Sequence, residues 1–128
     1  MKTISSKALR VFQALPFILI SGYTFAYGCS GILSDVDDAR LYLQRAAKEQ
    51  NLSNAQDDMR RARGLLDDAS LSANDCHCNA AAAYFDEAAI YARRARDAEN
   101  RNDFGYQLRR TINAYNSGVD ALDFCFQR

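Results

Sequence analysis

The sequence predicts an all-α fold: two tandem antiparallel helical hairpins, related by a 49-residue repeat, packed as a disulfide-stapled four-helix bundle. Three observations carry this expectation. First, shifting the chain by 49 residues without gaps lays Cys29 on Cys78 and Cys76 on Cys125, so residues 29–76 and 78–125 form two frames of 48 residues. Asp37, Ala39, Tyr42, Arg45, Ala46, Asn51, Arg60 and Arg61 then fall on Asp86, Ala88, Tyr91, Arg94, Ala95, Asn100, Arg109 and Arg110. Ten identities is modest similarity, but chance is a poor explanation for the register of all four cysteines. Second, apolar residues recur at steps of three and four throughout, and no alternating strand pattern appears. Third, the one proline stands at position 16, so nothing after Cys29 breaks a helix by removing its N–H donor.

Residues 1–28 read as a signal peptide. Lys2, Lys7 and Arg10 make a basic start, Val11 to Ile20 is apolar apart from Gln13 and Pro16, and Ala26-Tyr27-Gly28 fits a small-x-small cleavage site before Cys29. The apolar run is short for a bilayer span, and Gln, Pro and Ser interrupt it. The alternative of a lipoprotein acylated at Cys29 is less favoured, because Tyr27 stands where such sites take a small residue. Residues 29–128 are then expected to form one four-helix domain, periplasmic or secreted, with no stable membrane span once the signal is removed.

Four apolar stripes place the helices. Cys29, Ile32, Val36, Ala39, Leu43 and Ala46 mark the first, and Ala55, Met59, Ala62, Leu66, Ala69, Ala73 and Cys76 the second. Cys78, Ala81, Phe85, Ala88, Ala92 and Ala95 mark the third, and Phe104, Leu108, Thr111, Tyr115, Gly118, Leu122 and Cys125 the fourth. Steps averaging 3.5 residues keep one face on a partner helix, as in hairpins and four-helix bundles. Ser53-Asn54-Ala55-Gln56 has the form of a capping box, with Asn51 suited to a left-handed turn before it. Asn100 holds the corresponding turn position, Asn102 or Asp103 can cap the last helix, and Ser30 and Asn79 the first and third. The helices are therefore expected near 31–49, 54–73, 79–98 and 103–124.

In an antiparallel hairpin the start of one helix lies beside the end of the next, so Cys29 meets Cys76 and Cys78 meets Cys125. All four gather at one end, which leaves Cys29–Cys78 with Cys76–Cys125 open as a second pairing. A Cys76–Cys78 bridge across one residue would be strained. Disulfides agree with export to an oxidising compartment. The alternative use of Cys76-His77-Cys78, with Cys29 and Cys125, is a soft metal site or an exchanging thiol pair. His77, the chain's one histidine, reads more simply as an exposed loop residue.

After Cys29 the chain holds 13 basic and 16 acidic residues, a net charge of 13 − 16 = −3. A nucleic-acid binder needs a basic face to release phosphate counterions, so none is expected here. There is no phosphate-cradling glycine loop and no Ser/His/Asp set with a placed histidine. The acidic pairs read as solvated helix faces, so the protein is read as not an enzyme, with no cofactor and no metal required. Arg45, Arg60, Arg61, Arg94, Arg109 and Arg110 fall at matched heights in the two hairpins and are the candidate partner-binding residues, beside an acidic rim of Asp35, Asp37, Asp38, Asp67 and Asp68. The competing expectation is local pairing at (i, i+4): Arg45 with Glu49, Asp57 with Arg61, Arg93 with Asp97. Tyr84, Tyr91, Tyr106, Tyr115, Phe104, Phe124 and Phe126 concentrate in the second unit and are assigned to the core, with Phe124 and Phe126 partly exposed. The function expected is binding of another macromolecule, a protein partner in the envelope or outside the cell, as an inhibitor, immunity factor or holdase would act. The sequence carries no indicator of oligomeric state.

Overall fold

A computed structural model describes Cys29 and residues 31–127. Four helices pack in a bundle: α1 Ile32–Lys48, α2 Leu52–Asp75, α3 Asn79–Arg96 and α4 Arg101–Phe126. No strand occurs among the described residues. Each helix packs along the next in chain order, while α1 and α4 touch only sparingly. The Tyr115 hydroxyl on α4 bridges that seam, donating to the Val36 carbonyl of α1 at 2.9 Å. Burial pushes this phenol up to about 12. Ser30 and residues 1–28, where one cap and the signal peptide were expected, lie outside the described residues.

The stripes are the core. Every stripe residue is buried except Cys76 and Cys125, which are half-buried. Alanines bring the helix axes close, and Phe85, Phe104, Ile32, Met59 and Leu66 fill the interior that this leaves. Thr111 is buried without penalty because its hydroxyl donates to the Gln107 carbonyl one turn back, at 2.8 Å. Gly118 is small for a packing reason: a Cβ there would stand 2.6 Å from the Phe85 ring.

Both disulfides are those expected from the hairpin geometry. Cys29 joins Cys76 and Cys78 joins Cys125, with Cα separations of 5.3 and 5.8 Å. Between them, α2 ends in a Schellman turn. The Cys78 N–H bonds to the Ala73 carbonyl at 2.8 Å and the His77 N–H to Asn74 at 3.0 Å. His77 takes the left-handed position that closes this turn, at φ 66°. Its placement is therefore conformational, and its side chain is exposed.

The caps differ from the sequence expectation. Asn51, not Ser53, caps α2, its side-chain oxygen accepting from the Asn54 N–H at 3.0 Å. Asn100 caps α4 in the same way, accepting from the Asp103 N–H at 2.9 Å. Neither asparagine is left-handed. Asparagine is as good an N-cap as serine, and the earlier start adds helical hydrogen bonds. Gly31 and Cys78 precede α1 and α3 without a side-chain cap, so Asn79 opens α3 and does not cap it. Gln56, released from the capping box, donates instead to the Ala98 and Ala95 carbonyls at 2.7 and 3.3 Å. Arg101 donates to the Glu49 and Gln50 carbonyls. These side chains fasten the tips of the two hairpins to each other while satisfying carbonyls at helix ends.

Candidate recognition surface

Each hairpin holds a tyrosine between two arginines. In the first, the Arg45 and Arg61 guanidinium groups stand 5.3 and 5.8 Å from the Tyr42 ring centre. In the second, Arg94 and Arg110 stand 5.5 and 4.6 Å from Tyr91. Tyrosine and arginine are three residues apart on the first helix of each hairpin, which puts them on one face, and the second arginine comes from the facing helix. Stacked on a half-buried ring, each planar cation has fewer conformers to lose on meeting a partner.

An open groove runs beside each tyrosine. Asp38, Tyr42, Arg61, Gly64, Leu65 and Asp68 line the first, of about 680 Å³. Residues 49 positions later, Glu87, Tyr91, Arg110, Asn113, Ala114 and Ser117, line the second, of about 400 Å³. A smaller cavity of about 230 Å³ lies at the α1–α4 seam, where Leu43, Ile112 and Tyr115 meet.

The six candidate arginines divide by their neighbours. Arg45, Arg61, Arg94 and Arg110 are drawn to the tyrosines. Arg60 turns to Asp57 on its own helix, and Arg109 lies along its own helix beside Gly105. The local ion pairs also differ from the (i, i+4) expectation. Arg45 reaches Asp58 on α2 at 3.9 Å, Asp57 pairs with Arg60, and Asp97 with Arg96. Arg61 reaches across to the Tyr42 ring on α1, and Asp57 pairs with the arginine at (i, i+3).

Sequence reasoning missed the organising role of the tyrosines. Tyr84 and Tyr106, assigned to the core, are 41% and 48% exposed, and Tyr42 and Tyr91 are half-buried. The Tyr106 and Tyr91 hydroxyls accept hydrogen bonds from Arg110 at 2.8 and 2.7 Å. These phenols, Tyr91 foremost, raise the Arg110 guanidinium above its ordinary value. The available clue was Tyr-x-x-Arg recurring at the same place in both frames. Of the remaining aromatics, Phe104 and Tyr115 are buried, Phe124 is exposed and Phe126 is half-buried.

The acidic rim lies on the first hairpin. Burial, then Asp68 on α2 and Asp38 one turn on, raise the Asp35 carboxyl above its ordinary value. A raised pKa in the folded state means that ionised Asp35 weakens folding at neutral pH and ceases to do so as pH falls through the carboxylate range. Asp35→Asn should therefore raise thermal stability at neutral pH by a few tenths of a kcal/mol, about the scale of like-charge pairs on helices. The gain should vanish once acid protonates the wild-type carboxyl, and melting curves across that range check it.

All four cysteine sulfurs are committed to disulfides, and no group of three or more His, Cys, Asp or Glu converges among the described residues. No described helix is long and apolar enough to cross a membrane. No family model, curated protein or solved structure matches this chain.

Proposed function

We propose that the protein is exported to the periplasm or beyond the cell and acts there, without catalysis, by binding another protein through its tyrosine-held arginines. The observation that carries this is the pair of guanidinium groups stacked on Tyr42 in one hairpin and on Tyr91 in the other. Two disulfides fit an oxidising compartment, and the basic and apolar start of the chain supports cleavage before Cys29. The similar contacts made 49 residues apart support reading the hairpins as two copies of one unit. A scaffold stapled at its base and tied at its tips loses little entropy on docking, so a modest contact suffices for useful affinity.

Cross-linking in the exported fraction tests this, using wild type beside an R45Q/R61Q/R94Q/R110Q variant of unchanged helicity. The variant should recover its partner at least about tenfold less well, because four charged forks are lost from the contact. An R60Q/R109Q variant should recover it almost fully. Equal recovery by wild type and the four-arginine variant removes these residues from the function.

A further inference from the structure

The two tyrosine–arginine sites differ in one chemical respect. In the first hairpin Arg61 has no carboxylate within 4 Å but feels the charges of Asp57 and Asp58, and Arg40, Arg45, Arg60 and Arg63 each have one that close, supplied by Asp37, Asp58, Asp57 and Asp67. In the second, among the described residues, Arg96 does, paired with Asp97, whereas Arg93, Arg94, Arg109 and Arg110 do not. The sequence shows why. Asp57, Asp58, Asp67 and Asp68 stand 49 positions before Tyr106, Gln107, Asn116 and Ser117, while Arg45, Arg60 and Arg61 stand the same distance before three further arginines. The second hairpin keeps the cations and lacks those four internal anions. At the place corresponding to Asp58, the Gln107 side-chain oxygen is buried with no hydrogen-bond partner.

We infer that the Tyr91 groove of the second hairpin is the principal recognition site, and that it takes an acidic peptide segment whose carboxylates pair with Arg94 and Arg110. This rests on the binding function proposed above and names the site and the chemistry of the partner. A guanidinium carries five N–H donors; Arg110 directs one nitrogen to Tyr91 and one to Tyr106, and the remaining donors are available to a ligand. Planar forks recognise carboxylates bidentately, a geometry that lysine does not reproduce. Exposed Tyr84 and Tyr106 flank the cations with apolar surface, the Tyr–Arg composition enriched at protein contacts. The groove is open, which suits an extended chain more than an enclosed small molecule. A nucleic acid fits less well, since Arg94 and Arg110 are two isolated forks beside Glu87 and do not make the continuous basic stripe that neutralises a run of phosphates.

The test is fluorescence anisotropy with a labelled oligoglutamate peptide and, in parallel, an oligothymidylate of matched charge. Saturable binding of the peptide, weaker for the oligonucleotide, is expected. R94Q/R110Q should weaken peptide binding by roughly tenfold and R45Q/R61Q by less than about twofold, since Arg45 pairs with Asp58 and Arg61 lies near Asp57 and Asp58, whereas among the described residues no carboxylate stands within 4 Å of Arg94 or Arg110. R94K/R110K, which keeps charge but not the fork, should lose about threefold or more, and its unchanged circular dichroism guards against misfolding. Absence of peptide binding, equal losses from the two arginine pairs, or tighter binding of the oligonucleotide overturns the assignment. If an exported partner is captured through Arg45 and Arg61 while the peptide fails, the binding function stands and this inference falls.

Discussion

Protein in which Cys78 and Cys125 are both serine should lose roughly 4 kcal/mol of stability, the loop-closure entropy of a cross-link spanning 47 residues. Small domains have in total only about 5–15 kcal/mol, and this one fills much of its interior with alanine, which buries little surface per residue. The expected fall in melting temperature is on the order of 15–30 °C for a domain of this size. Opening Cys29–Cys76 should act on a different part of the fold. Helix α1 is the shortest of the four, packs along α2, and meets α4 at few points, Tyr115 among them. Its base should therefore fray first, seen as amide exchange in α1 ahead of the other helices. Melting curves of oxidised, reduced and serine-substituted protein check both effects. A reduced protein that melts within a few degrees of the oxidised one contradicts the stapled-hairpin account.

Phe85→Ala should cost about 3–5 kcal/mol, the range for removing a large buried ring from a close-packed interior. Phe85 is fully buried in α3 against Gly118 of α4, and its ring lies 6.2 Å from that of Tyr115. The same notch makes Gly118→Ala costly in an unusual direction. Alanine is intrinsically better in a helix than glycine by about 1 kcal/mol. Here its methyl would collide with the Phe85 ring, and overpacking of this kind costs about 1–3 kcal/mol. Thermal or urea unfolding of the two single variants and the double variant separates the contributions. The double variant should be more stable than the sum of the singles implies, because the new methyl then enters the space left by the ring. Simple additivity would show that the notch is not the cause.

The architecture was legible because helical periodicity and cysteine register agree. Ile32, Val36 and Ala39, or Phe85, Ala88 and Ala92, can be buried together in one way only, on a helix facing its neighbour. The cysteines at the ends of those stripes then had to meet. Helix starts were less legible. Asn51 and Ser53 are both competent caps two residues apart, and the choice depends on whether Gln56 serves its own helix or the carbonyls of α3. The arginines of the proposed recognition surface were named from the sequence, but the tyrosines that four of them stack on were not. Tyrosine belongs equally to core and surface: Tyr115 is buried with its hydroxyl on Val36, while Tyr91 supports two cations at the surface. Nothing in the spacing of tyrosines alone separates these roles. The carboxylate on Arg45 comes from Asp58 of the facing helix, a pairing that (i, i+4) reasoning along one helix does not reach.

The association rate constant tests most directly the proposal that tyrosine-held arginines recognise a protein partner. Wild type and R45Q/R61Q/R94Q/R110Q should be compared against the cross-linked partner at roughly 0.05 M and 0.5 M ionic strength, between which the screening length shortens about threefold. The variant should associate at least about tenfold more slowly at low salt, and the difference should shrink at high salt as screening removes steering. Equal rates for the two proteins at low salt would contradict the proposal.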